Sequence, residues 1–251
     1  MSGHSKWSTI KRQKGAADAR RSHMFTKLSK EIEVAARQGD PDPEMNFRLR
    51  LAVQKARENN MPVDNIERAI KRASGALGGG TNLVESTYEG YGPGGAAILL
   101  ETLTDNKNRT TSDVRNAFAR GNGSLGESGC VTWVFQPKGV INVSAGQDAE
   151  EMSLMAIDAG AEDVKEENGI LEIQTAPEEL EKVRKALEDK NIAIISSELT
   201  RSPSTTVMLD EKSAIQMLKL MDRLEELDDV QRVYTNADFP DSALEKYRDQ
   251  G

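Results

Sequence analysis

Apolar residues recur at spacings of three and four through the first third of the chain. Phe25, Leu28, Ile32 and Ala35 share one face of a helix that starts near Asp18 or Ser22 and stops at Gly39. Pro41 and Pro43 hold the following link extended, and Asp42-Pro43 reads as the N-cap and first residue of a second helix. That helix runs to about Glu58 with Met45, Leu49, Ala52, Val53 and Ala56 inward, and Asn59-Asn60 closes it. A third opens at Pro62 or Asp64 and turns Ile66, Ala69, Ile70 and Ala73 inward. It ends at Ser74-Gly75 and the loose GALGGG run of 75–80. Three amphipathic helices on short links predict a small bundle, and the glycine run predicts a domain boundary.

Beyond residue 80 the period shortens. Residues 86–104 offer a short strand, a Gly-Pro turn and an apolar strand from Ala96 to Thr104, followed by a helix over Lys107–Arg120. A Gly-rich loop leads to strands at Val131–Gln136 and 139–143. A helix over 148–160 carries Met152, Met155 and Ala159 on one stripe. Strands near 162–167 and 170–175 meet at Asn168-Gly169, a hairpin signal. A helix from Pro177 with Leu180, Val183 and Leu187 inward and a strand over Ile192–Leu199 complete a β-α-β-β-α-β unit, the split arrangement of ferredoxin-like domains. The flanks, β-α-β over 96–136 and then Thr205–Leu209, Asp210–Leu224 and Val230–Tyr234, spell the same order when joined. The predicted class is therefore α+β in three domains: an N-terminal three-helix bundle followed by two βαββαβ (ferredoxin-like) α/β domains, one inserted in the other. The expected boundaries are 1–80, 81–137 with 203–240, 138–202 for the insert, and a polar tail at 241–251 that covers an edge or frays.

Composition narrows the chemistry. The one cysteine, Cys130, excludes an intrachain disulfide and a multi-thiolate metal site, and with only two histidines no metal or cofactor is expected. No apolar run reaches the roughly 20 residues of a membrane span, and the charged start is not a secretory signal, so a cytoplasmic location and no membrane partner are expected. Charge changes the picture most. Residues 1–30 hold eight Lys and Arg against the single acid Asp18, in a chain whose net charge is −8. Such a segregated field attracts polyanions despite the overall balance. The candidate nucleic-acid contacts are His4, Lys6, Trp7, Lys11, Arg12, Lys14, Arg20, Arg21, Lys27 and Lys30. Lys and Arg neutralise phosphates, Arg with a bidentate fork. Trp7 is placed to stack on a base or to cap the bundle, and the histidines to donate to phosphate or base.

Other motifs read as structural. Gly121-Asn122-Gly123-Ser124-Leu125-Gly126 matches G-x-G-x-x-G, but a helix precedes it and a strand follows, the reverse of a dinucleotide fingerprint. It reads as a helix stop whose glycines take positive φ, and Tyr91-Gly92-Pro93-Gly94-Gly95 as a tight turn; a surface loop that touches a partner stays open for both. Cys130 opens an apolar strand with no histidine near it, which suits a buried, inert thiol. Asp113 reads as cap-related, and Glu225, Glu226, Asp228 and Asp229 as a solvated turn. No nucleophile-base pair stands out, so no enzymatic activity is expected.

Gly3-His4-Ser5-Lys6-Trp7 with Ile10-Lys11 and Lys14 resembles the opening of the YebC/PmpR family. Phe25-Thr26-Lys27-Leu28, Asn59-Asn60-Met61-Pro62, Tyr88-Glu89-Gly90-Tyr91-Gly92-Pro93-Gly94-Gly95, Thr104-Asp105-Asn106 with Arg109-Thr110, and the loop into Cys130 extend the likeness over roughly 1–136. Gln13 interrupts the basic character of positions 12–14. The resemblance implies three domains and two functions for one scaffold: DNA-binding regulation of transcription, or activation of translation at the ribosome. The leading expectation is a DNA-binding transcriptional regulator. The alternative is a ribosome-associated factor binding ribosomal RNA and relieving stalling. The sequence leaves oligomeric state open.

Overall fold

The computed structural model describes residues 18–75, 82–146, 148–167 and 169–249. Helices α1 (Asp18–Gln38), α2 (Phe47–Glu58) and α3 (Val63–Ala73) form the helical part. Leu28, Ile32 and Ala35 of α1 meet Leu49, Ala52, Val53 and Ala56 of α2 and Ile66 and Ala69 of α3 in one core. Alanines on the inner faces let the backbones approach, while each buried Leu or Ile contributes about 1.5–3 kcal/mol. The second helix starts later than Asp42-Pro43 suggests. Asn46 is its N-cap, with Oδ1 accepting from Leu49 N at 3.0 Å. Its Nδ2 donates to Ala35 O and Asp40 O, so one buried amide caps α2 and ties off the end of α1. Met45 lies ahead of the helix and is 76% exposed rather than inward.

The remaining elements follow as β1 (Val84–Tyr91), β2 (Ala97–Thr104), α4 (Lys107–Arg120), β3 (Ser124–Leu125), β4 (Phe135–Ser144), α5 (Ala149–Ala159), β5 (Asp163–Glu167), β6 (Ile170–Thr175), α6 (Leu180–Asp189), β7 (Ile194–Pro203), β8 (Val207–Met208), α7 (Glu211–Glu225), β9 (Val230–Thr235), β10 (Ala237–Asp238) and α8 (Asp241–Asp249). The mixed helix-and-sheet class is the expected one. The chain divides into two compact units: Val134–Ser204, and the chain on either side of it, which includes the helical part.

In the outer unit, a sheet of order β3-β1-β2-β9 is antiparallel throughout, with Leu100 opposite Tyr88 on one side and Val233 on the other. Gly94 and Gly95, both at φ 76°, close the β1–β2 hairpin. Val114 and Phe118 of α4 and Met217, Leu218 and Met221 of α7 bury against Ile98, Leu100 and Val233. Three expectations change here. Thr132–Val134 is a 3₁₀ turn, not a strand, and Phe135 begins the strand of the inserted unit. Val134 and Phe135 are both buried, which breaks the alternation a half-buried strand needs. The Thr205–Leu209 segment pairs in parallel with β10 and not with the main sheet. The last segment is not a fraying tail: α8 buries Ala243, Leu244 and Tyr247 in the outer core.

The inserted unit is a β-α-β-β-α-β antiparallel sheet of order β5-β6-β4-β7. Ile141, Val143, Leu171 and Ile173 are buried in it, as are Leu180, Val183 and Leu187 of α6. Gly139 is required by packing, because a Cβ there would meet Thr175 Oγ1 at 2.3 Å and Leu180 at 2.9 Å. Gly169, at φ 76°, takes the hairpin turn, and Asn168 lies outside the described residues.

Candidate nucleic-acid interface

Helix α1 has two working faces. One is the apolar stripe in the bundle core. The other carries His23, Lys27, Lys30 and Glu31 against the outer α/β unit. Lys27 Nζ donates to Glu225 O, and Lys30 Nζ reaches Asp228 O at 3.0 Å and Asp229 Oδ1 at 2.9 Å. His23 Nδ1 lies 2.9 Å from Asp228 Oδ1. Three consecutive turns of helix thus grip the turn between α7 and β9. The four C-terminal carbonyls of a helix lack partners within it, so Glu225 O at the end of α7 is a natural acceptor for a lysine.

Asp229 is the centre of this junction. It is 5% exposed and accepts from Lys30, Arg109 Nη2 (2.8 Å), Thr110 Oγ1 (2.8 Å) and Thr104 Oγ1 (3.2 Å). Burial works against its charge, but the bonds from Arg109, Lys30 and Thr110 outweigh it and hold the carboxyl at about 2. Glu31 plays the matching part on α1. Burial is again outweighed, here by Lys55 at 3.1 Å and Arg232 at 3.1 Å, and the carboxyl is held at about 2. Within the 225–229 turn Asp229 departs from the solvated reading, being buried, while Glu226 and Asp228 stay exposed. Its sequence signal was acidity alone, which does not say what will face it. Asp113 is not the cap of α4 either: Asn106 is, accepting from Arg109 N.

A second buried carboxylate organises the Gly-rich loop. Glu89 on β1 accepts from the N–H groups of Gly129 (2.7 Å), Val131 (2.8 Å) and Thr132 (2.8 Å). Burial disfavours its charge, and these backbone bonds overcome that and keep it below the ordinary carboxylate range. Gly121 and Gly123 serve close approach rather than positive φ, whereas Gly129 sits at φ 89°. A Cβ on Gly121 would meet Leu220 at 2.6 Å and one on Gly123 would meet Tyr91 O at 2.8 Å, while Asn122 takes the left-handed conformation at φ 56°. Cys130 is half-buried in this loop, not in a strand, and burial together with the charge of Glu89 pushes its thiol up.

The candidate contacts fall into three groups. His4, Lys6, Trp7, Lys11, Arg12 and Lys14 lie outside the described residues. Arg20 and Arg21 sit in the first turn of α1, with Arg21 exposed. Lys27 and Lys30 are brought to the acidic turn instead of to solvent. A cleft of about 960 Å³ opens beside this junction, but six carboxylates and four Lys or Arg line it, so its own charge does not suit a phosphate chain. No group of His, Cys, Asp and Glu suited to a metal ion occurs among the described residues. Nor is any described helix long and apolar enough to cross a membrane.

Fold and junction together define a class: an α+β protein whose small helical domain is clamped by buried ion pairs to an α/β domain that carries a ferredoxin-like insert. The chain belongs to the TACO1/YebC family. Residues 5–76 match the TACO1/YebC protein N-terminal domain, and residues 83–237 match the TACO1/YebC second and third domain. A relative from Dehalococcoides mccartyi, named a probable transcriptional regulatory protein, is 58% identical over 251 residues, covering 100% of both chains. One of the same name from Natranaerobius thermophilus is 53% identical over 249 residues, covering 98% of this chain and 99% of its own. The crystal structure of a conserved hypothetical protein from Aquifex aeolicus superposes with a TM-score of 0.80 at 47% identity, covering 89% of this chain and 92% of that one.

Proposed function

We propose that this protein is a non-enzymatic regulator of gene expression that binds DNA through its basic leading segment, as a transcriptional regulator. The name shared by its relatives points to transcription. The observation that carries the reading is the segregation of charge: eight cations against one acid in residues 1–30 of a chain of net −8. The junction refines it. Lys27 and Lys30 are spent on the acidic turn, so they anchor the helix, and the grip on phosphates falls to Lys6, Lys11, Arg12, Lys14, Arg20 and Arg21, with His4 and Trp7 beside them. A pinned helix gives Arg20 and Arg21, in its first turn, a fixed mount, which lowers the ordering cost of binding.

The test is a variant with Lys11, Arg12, Lys14, Arg20 and Arg21 changed to Glu, assayed on duplex DNA and on structured RNA at two salt concentrations. About six phosphate contacts give a slope of about −5 in log K against log salt, so a fourfold rise in salt costs roughly 10³ in affinity. The variant is expected to lose that binding while remaining folded. Equal affinity in variant and parent would refute the reading. Co-sedimentation of the protein with ribosomes, abolished by RNase, would move the target from DNA to ribosomal RNA.

A further inference from the structure

The outer unit displays an aromatic pair that the basic segment does not explain. Trp133 is 70% exposed and Tyr91 is 40% exposed. Both donate to one acceptor, the carbonyl of Cys130: Trp133 Nε1 at 3.0 Å and Tyr91 Oη at 3.1 Å. A carbonyl has two lone pairs and can serve both. The polar edges of the two rings therefore lie within about 6 Å of each other, and the rings cannot turn freely. Cys130 is itself fixed, because Glu89 holds the backbone on either side of it at Gly129 and Val131. Tyr91 is fixed from the other side by its pairing with Ser124 and Ala97.

We infer that Trp133 and Tyr91 form a stacking platform for an unpaired nucleobase. An exposed indole on a loop with this much internal bonding is displayed rather than left over. Its surroundings choose the ligand. Gly126, Glu127, Ser128, Gly129 and Thr132 of its own loop are all exposed and none is a large apolar residue, unlike the contiguous apolar patch of a few hundred Å² that protein docking uses. A planar π-face with a polar rim suits a base, which needs one face and no apolar surround. The same stretch of chain offers a cation for the adjoining phosphate. Arg120 is exposed at the end of α4, four residues before the Ser124 that pairs with Tyr91. Helix α4 carries Lys107, Arg115 and Arg120 against Asp113 alone, besides the Arg109 that Asp229 holds, in an otherwise acidic part of the chain.

This inference rests on the nucleic-acid reading above and adds a preference for single strands to it. The full-length chain, Trp133→Ala and Trp133→Phe are titrated with an unstructured 12-nucleotide single strand and with a 12-base-pair duplex. Stacking on one aromatic ring predicts that W133A binds the single strand about tenfold more weakly, that W133F stays within about threefold of the parent, and that duplex binding is unchanged. In a W7F background, Trp133 emission should be quenched by the single strand and not by the duplex. If W133A binds the single strand as well as its parent does, the platform is refuted and the basic-segment reading stands. If the parent chain binds neither probe, both are refuted.

Discussion

Replacing Asp229 with Asn removes one negative charge from the junction while keeping its shape. In the folded protein the carboxyl sits at about 2, against an ordinary value of 3.8. That difference is worth about 2 kcal/mol of stability at neutral pH. The loss of the charged acceptor by Lys30 and Arg109 is contained in that figure, because their bonds are what lowers the pKa. A cost of about 2 kcal/mol at pH 7 is expected. With an m-value of about 2 kcal/mol/M, the urea midpoint falls by about 1 M at unchanged m. The pH dependence gives an independent check. Asp229 and Glu31 both have folded pKa values below their unfolded ones, so their contributions are complete above about pH 5 and drain as pH falls toward 2. Between pH 6 and 3 Asp229 should give up about 1 kcal/mol and Glu31 about 2. The D229N protein keeps only the Glu31 part. Urea titrations followed by circular dichroism at pH 6 and 3 measure both quantities. A midpoint within about 0.2 M of the parent, or an identical pH slope, would refute the claim that this charge holds the domains together.

Glu89→Gln leaves one of two carboxylate oxygens as a neutral acceptor and faces Gly129, Val131 and Thr132 with an amide. A loss of about 1.5–3 kcal/mol is expected, with amide exchange quickening first at those three residues; unchanged protection there would count against the carboxylate as organiser of the loop. Asn46→Ala removes the cap of α2 and two bonds to the end of α1, for a loss of about 1–2 kcal/mol in thermal or urea unfolding.

The helical part was legible because its signal is local. Leu28, Ile32, Leu49 and Ile66 announce their faces by spacing, and the core uses those faces. The inserted unit was legible for the same reason, since the spacing of Leu180, Val183 and Leu187 and the hairpin turn at Gly169 are local signals. The misreadings share one cause. Asp42-Pro43 looked like a cap because local chemistry favours it, but Asn46 wins through bonds to Ala35 and Asp40 that spacing does not reveal. The 241–249 helix looked polar because five of its nine residues are charged, yet its three buried residues are the ones that fill the outer core.

Periodicity, charge segregation and the lone cysteine determined from the chain alone that this is a helical bundle ahead of α/β modules, with a cationic start and no disulfide. Which charges face solvent is a different kind of fact. Lys27 and Lys30 look like any other members of the basic run, and Asp229 like any other acid, until folding brings residues about 200 apart in sequence to hydrogen-bonding distance. Helical and strand periods are set by neighbours a few bonds away, whereas an ion pair is set by the packing of whole elements, and no local pattern encodes that.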